Sequence, residues 1–497
     1  MHSRQAAIDR EQRIRNLGQG GALDVLVIGG GSSGAVAYHE LCRRGFRTAL
    51  LDRCDFAGGT SQASGMLVWG GLLYLKNLDL LTVRKFCKAR DQLIAERSDL
   101  VHSHRLRYLP SLNGGRSSLL VRLGLCCYWL MGGADRYLPR QESNYLERTL
   151  LQERRFKDPL TYEEGMLRES DSRFVLGWIQ GFDSEDCLPV NYCEVNGGTF
   201  DQADHLWHIE LKDAETGREL HCRARTVVNC AGVWTDKVNG LLGIESPYRH
   251  VCSKGVFISF PRESDHETSL VVEMGANNDI QAYMPWGPIA MWGPTETAVD
   301  DIESGFRVNV DDIRFLLDQA NRNLKRRYGP EDILSIRCGI RPLAVKKGYS
   351  KSAYPLDLSR RNLIAVDRDR RALAVYGGKL TTCLLLADAL AEHIQKFVTP
   401  SRLPDKPRPA GIADKPQISP GWSYGHEFCL TMDDYLRRRT NISQWRPRRG
   451  LGSNNEHRSE LRAIAREFTD SDQAADQMLA DYISKVQVEH DQLLKSV

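Results

Sequence analysis

Few backbone arrangements accommodate an apolar, β-branched run that ends directly in a glycine cluster, and this chain carries one at residues 24–34. Asp24–Ile28 (DVLVI) has the composition of a strand buried on both faces. It runs into Gly29-Gly30-Gly31-Ser32-Ser33-Gly34, a G-x-G-x-x-G pattern. A helical stretch over Ala35–Arg44 ends at Gly45, and a second strand over Thr48–Asp52 (TALLD) follows. That is a complete β-α-β unit. In it Gly29 permits the tight turn, Gly31 lets the backbone approach a pyrophosphate, and Gly34 lets helix and strand pack closely. The helix N-terminus offers free N–H groups and a positive dipole end to phosphates. Asp52 stands about 20 residues on, where an acid binds ribose hydroxyls and disfavours a 2′-phosphate. At this point FAD and NAD are both open.

The rest of the composition bounds the partners. A chain of 497 residues allows about two or three domains, and its 41% apolar and 26% charged residues are ordinary for a globular protein. A net charge of +3 is too small to imply a nucleic-acid partner. The 13 cysteines include no C-x-x-C pair, which points to reduced thiols in a cytoplasmic setting and to neither a disulfide framework nor a metal site. Residues 1–22 read as a short surface helix rather than a secretory signal. Ser118–Gly132 (SLLVRLGLCCYWLMG) contains Arg122 and falls short of the roughly 20 residues that cross a bilayer, so it reads as a buried or interfacial helix.

Periodicity places the remaining elements. From Asp52 to about Arg155 the chain reads as mainly helical and irregular. Strands follow at Leu206–Leu211, Glu219–Val228, Val251–Phe260 and Ser269–Met274. Asp311–Tyr328 has helical spacing, Asn362–Val366 and Ala372–Tyr376 are short strands, and Lys379–Phe397 is a helix. Residues 401–420 read as a proline-rich, charged linker, and 421–497 as a polar helical module.

Five further segments carry a joint pattern. They are Phe56–Leu75 (FAGGTSQASGMLVWGGLLYL), Val227–Asp236 (VVNCAGVWTD), Met284–Thr297 (MPWGPIAMWGPTET), Cys338–Leu343 (CGIRPL) and Val375–Thr382 (VYGGKLTT). Together they resemble the FAD-dependent glycerol-3-phosphate dehydrogenase family, a branch of the amino-acid-oxidase-like flavoproteins. Arg122–Tyr128 (RLGLCCY) and Thr431–Thr440 (TMDDYLRRRT) extend the resemblance over nearly the whole chain.

The resemblance implies an α/β architecture: a Rossmann-like, two-dinucleotide-binding FAD domain, a β-sheet substrate domain and the small C-terminal module. The FAD domain would come from segments of about 23–110, 180–245 and 335–400. The substrate or cap segments would be about 111–179 and 246–334. It implies FAD contacts at Gly29, Gly31, Ser33, Gly34, Asp52, Arg53, Thr60, Ser61, Val195, Ala231, Gly232, Gly378, Lys379, Leu380 and Thr381. The FAD is expected to be held without a covalent link, Cys230 and Cys383 flanking the site. Arg341 stands where the family holds its substrate, and a guanidinium suits carboxylate or phosphate oxygens. Lys379 would stabilise negative charge on the reduced flavin.

The substrate region departs from the family. Where it usually carries an arginine, a lysine, a histidine and a second arginine, this chain has Ala63, Met66, Trp69 and Leu73. Phe257 stands at the position of the family's proposed proton acceptor, a histidine. Between Asp183 and Asn191 only SEDCLPV replaces a long crossover helix, so the wiring there must differ.

These features predict an oxidoreductase that moves hydride from an alcohol or amine carbon of a small molecule to flavin N5, in a less basic pocket. Two alternatives stand beside it: an ordinary glycerol-3-phosphate:quinone dehydrogenase, and a flavin-binding partner protein that has lost catalysis. The family commonly passes electrons to quinone, which makes quinone a candidate acceptor. Peripheral contact with the inner face of the membrane would use Ser118–Gly132 and Arg437, Arg438, Arg439, Arg446, Arg448 and Arg449, which otherwise read as a solvated basic face.

Overall fold

The computed structural model describes residues 2–113, 115–142, 149–152, 155–263, 267–274, 280–348, 362–407 and 418–497, without the side chains of 2–9, 73, 76 and 77. Leu23–Ile28 is buried along its whole length and lies at the centre of the first sheet. The order across that sheet is Leu363–Asp367, Ala372–Tyr376, Glu219–Asn229, Leu23–Ile28, Thr48–Leu51, Cys187–Val190. The inner strands are parallel, and the outermost Leu363–Asp367 is antiparallel to its neighbour. Cys193–Asp201 and Leu206–Asp213 extend the Glu219–Asn229 strand as an antiparallel ribbon. Helix Ser32–Arg43 covers the sheet and packs against Cys383–Ile394 and Asp171–Ile179.

The wiring around residue 183 has a simple solution. Cys187–Val190 is itself a strand, parallel to Thr48–Leu51, and Asp171–Ile179 is the helix ahead of it. The crossover therefore precedes Asp183 instead of following it. The CLPV segment is short enough to read as loop, which hid the strand.

The second sheet runs Thr297–Val299, Tyr248–Pro261, Ile289–Gly293, Ile280–Trp286, Ser269–Glu273, Val101–Leu109, Leu160–Leu167, Leu67–Val68. Ser335–Lys346 pairs with Tyr248–Pro261 from Lys346↔Tyr248 to Ser335↔Ser259. So the segment from 335, expected with the FAD domain, begins as a strand of the second sheet. Val101–Leu109 was likewise absent from the sequence reading of the first 155 residues. Its alternation holds only over Val101–Arg105; Leu106–Leu109 is buried throughout, including Arg107, and the period-2 signal is lost.

One peripheral element differs from expectation. Helix His2–Gln19 is not simply a surface helix, because Ile14 and Leu17 are buried in the core under the first sheet. Helix Ser118–Met131 buries only Leu125 and Tyr128. Leu119 (67%), Leu120 (62%), Leu123 and Leu130 are exposed. No helix among the described residues is long and apolar enough to cross a membrane.

The C-terminal module has its own core of Cys429, Met432, Leu436, Leu451, Leu461, Leu479 and Val486. Its arginines do not form a solvated face. Arg437, Arg438 and Arg439 are buried against the body of the protein. Arg446 pairs with Glu460 at 2.7 Å, Arg448 with Asp491 at 2.7 Å, and Arg449 with Glu489.

Candidate active site

The C-terminal ends of the parallel strands open on a cavity of about 1070 Å³ that continues along the second sheet. This is where an open α/β sheet places its ligands. Gly29 leaves the first strand at φ +103°, and a Cβ there would stand 2.6 Å from the carbonyl oxygen of Cys230. A Cβ on Gly34 would stand 1.8 Å from the carbonyl oxygen of Gly29, so only glycine lets the helix approach this closely. Gly29, Gly31 and Ser33 line the cavity, whereas Gly34 acts by packing behind it.

Asp52 Oδ2 accepts from the Gly30 amide at 2.7 Å and Oδ1 from the Cys54 amide at 2.9 Å. Burial pushes its carboxyl up to about 6 despite those two donors. Arg53 lies over the Trp234 ring at 4.5 Å. Ser61 Oγ accepts from the Ser32 amide at 2.9 Å, and Thr60 Oγ1 donates to the Ile340 carbonyl at 2.6 Å. Val195, Ala231 and Gly232 complete this end, with open space where a Cβ of Gly232 would stand. Gly378, Lys379, Leu380 and Thr381 line the far side, and Thr381 Oγ1 donates to the Trp69 carbonyl at 2.8 Å. The positive-φ glycine turn, the buried carboxylate and the open space fit a dinucleotide.

Arg341 and Lys379 both line the substrate half. Arg341 Nη1 is 3.1 Å from Glu296 Oε2, and its two terminal nitrogens lie 3.4 and 3.5 Å from the Thr295 carbonyl oxygen. Ser253 donates to Glu296. Lys379 Nζ donates to Tyr74 Oη at 3.0 Å and lies over the Tyr74 and Phe86 rings. Ala63, Trp69 and Phe257 line the cavity. Met66 does not: it is fully buried in the core at φ +60°, and its carbonyl accepts from the Leu167 amide. The turn from Ser64 into the Leu67–Val68 strand rotates it away, which residue counting could not foresee. The side chain of Leu73 lies outside the described residues, and its neighbour Leu72 lines the cavity.

Arg53 and Lys237 also line the cavity. Among the described lining residues none is a histidine. Cys54, Cys193 and Cys230 line it near Asp52 and Ala231, and Cys383 does not. Sequence reading gave no role to Tyr74 and Glu296, although both stand inside quoted motif segments, nor to Ser253, which lies outside them. It also missed His250, whose Nε2 accepts from the Gly377 amide at 3.1 Å and which burial drives down to about 4, keeping it a neutral acceptor.

A fingerprinted parallel sheet joined to a second sheet that walls the same cavity defines a dinucleotide-dependent oxidoreductase with a β-sheet substrate domain. Residues 24–393 match the FAD dependent oxidoreductase (DAO) family, and the chain belongs to it. FAD is accordingly its cofactor. The chain is 28% identical over 411 residues to the aerobic glycerol-3-phosphate dehydrogenase of Staphylococcus haemolyticus, covering 79% of this chain and 71% of that protein. It is 29% identical over 405 residues to D-erythritol 1-phosphate dehydrogenase of Brucella abortus, covering 78% and 77%. Its fold matches the glycerol-3-phosphate dehydrogenase of Bacillus halodurans complexed with FAD, with a TM-score of 0.71, 18% identity and 99% of each chain covered.

Proposed function

We propose that this FAD-dependent oxidoreductase takes hydride from an alcohol or amine carbon of a small substrate that carries no phosphate. When bound, FAD supplies the hydride acceptor at N5. The observation that carries the substrate reading is the Glu296 carboxylate beside Arg341. A phosphate at Arg341 would have to sit against that negative charge. Ala63, Trp69 and Phe257 supply none of the charge-assisted hydrogen bonds that a phosphate group uses, each worth about 1.5–3 kcal/mol.

Arg341 anchors one polar group or one singly charged carboxylate, which Glu296 repels less than a phosphate dianion, and the apolar wall holds the remainder. Lys379, oriented by Tyr74, supports negative charge on the reduced cofactor. A neutral amine needs no base before hydride leaves it, which suits a lining with no described histidine.

The relatives named as phosphate-ester dehydrogenases favour the second reading, a true glycerol-3-phosphate dehydrogenase passing electrons to quinone. Quinone as acceptor goes with attachment to the inner face of the membrane. Here the support is the apolar surface formed by Leu119, Leu120, Leu123 and Leu130 with Leu78 (80%) and Leu81 (84%). The arginines give it no support, since they are buried or paired.

The experiment is anaerobic mixing of the holoenzyme with glycerol, hydroxy acids and small amines, following the visible absorbance of the flavin. At least one of them should bleach it with saturable kinetics. No reduction by any, nor by glycerol 3-phosphate, would favour a flavin-binding protein without catalysis.

A further inference from the structure

The loop after Asp52 has two faces. On the inner one, Gly58–Ser61, Ala63 and Ser64 line the cofactor cavity. On the outer one, three consecutive arginines of the C-terminal module hold it. Arg439 clasps the Asp55 carboxylate with both terminal nitrogens, at 2.6 and 2.8 Å, and Arg438 Nε reaches the same carboxylate at 2.5 Å. Arg438 Nη1 donates to Gln62 Oε1 at 3.1 Å, and Arg437 donates to the Gln62 carbonyl. Behind them, Arg438 Nη2 is fixed by Asp434 at 2.5 Å, and Arg439 Nε by the Glu427 carbonyl at 2.8 Å.

Arg437 is the informative member. It is buried, one terminal nitrogen has no hydrogen-bond partner, and no described carboxylate pairs with it. Burial and the like charge of Arg337 bring it down to about 9. Asp171 is the opposite charge that acts on it, and that carboxylate is already paired with Arg337 at 2.6 Å; a buried cation left with so little compensation costs stability. It donates to the Gln62 carbonyl, beside Ser61 and Ala63 of the cavity wall. Groups that cost stability and are kept cluster where function needs a particular shape.

We infer that Arg437, Arg438 and Arg439 are positioning residues for FAD: through them the C-terminal module holds loop 55–64 in the shape that receives the cofactor. The alternative is that they only fasten the module to the body. The two differ in the sign of one comparison. Arg437→Met removes an unpaired buried cation, so the full-length apoprotein should melt at an unchanged or higher temperature. Its FAD affinity, titrated by quenching of flavin fluorescence well below that temperature, should fall about tenfold or more. Affinity within about twofold of the wild type overturns the inference, whatever the melting temperature does.

Arg438→Lys keeps the charge but cannot bridge Asp55, Gln62 and Asp434 at once. It should weaken FAD by a smaller factor, and it decides on the same criterion if Arg437→Met melts too low to titrate. Arg446→Ala, on the same module but paired outward with Glu460, should bind FAD as the wild type does.

Discussion

The two halves of the cavity are built from different materials. The cofactor half is mostly backbone: glycines at 29, 31, 232 and 378, the turn through Ser32 and Ser33, and one carboxylate, Asp52. The substrate half is side chain: Trp69, Phe257, Tyr74, Glu296 and Arg341 on strands and loops of the second sheet. Backbone recognition tolerates little substitution, because a Cβ at Gly29 or Gly34 collides with the main chain. Side-chain recognition can be exchanged residue by residue on an unchanged sheet. The family's cofactor can therefore be retained while the substrate changes.

The largest effect that would sharpen this contrast is at Arg341. Arg341→Ala should lower kcat/KM on the true substrate by about 100-fold or more, as loss of one charge-assisted pair implies, with FAD content unchanged. Steady-state kinetics with flavin quantitation checks both parts. A parallel loss of FAD would merge the two halves and break the comparison.

A smaller effect belongs to Asp52. Its carboxyl stands near 6 without cofactor, raised by burial above the ordinary carboxylate range. Ribose hydroxyls donating to the ionised form would lower it, so binding releases a proton. FAD affinity should then fall as pH drops through about 6, by several-fold per unit, and be level above 7. Asp52→Asn should bind FAD more weakly at pH 7 and lose this dependence. Fluorescence titration between pH 5 and 8 measures it, about those limits being set by the shift itself. Linkage has the opposite sign for folding of the apoprotein: a raised carboxyl binds its proton more readily when folded, so this group adds stability as pH falls below about 6.

The smallest effect tests the apolar helix. Leu119→Ser with Leu120→Ser and Leu123→Ser should release the protein from sedimenting membrane vesicles while flavin content stays constant. High salt alone should not release the wild type, because apolar contact is not screened. Full release by salt would return the attachment to charged residues.

The cofactor half was legible because its signals are local. The β-α-β unit lies within residues 23–52, and each glycine answers a collision inside or beside that unit. The substrate half was legible only in part. Ala63, Trp69 and Phe257 came through alignment with a known pattern, but Met66 failed because one residue with positive φ turns a side chain out of register. The pairing of Glu296 was invisible, since its partner Arg341 lies on a separate strand brought near by sheet pairing. The arginines 437–439 were misread for the same reason: their partners, Gln62 for Arg437 and Asp55 for Arg438 and Arg439, are 375 to 384 residues away in sequence, and a basic run without a visible partner reads as a solvated face.

Anaerobic stopped-flow reduction of the enzyme-bound flavin by glycerol 3-phosphate tests the rebuilt substrate half most directly. The account predicts slow reduction that does not saturate in the micromolar range, with Phe257→His alone giving no rescue because Glu296 still faces Arg341. Fast, saturable reduction at micromolar glycerol 3-phosphate would contradict it, and would mean that residues other than Ala63, Trp69 and Phe257 hold the phosphate.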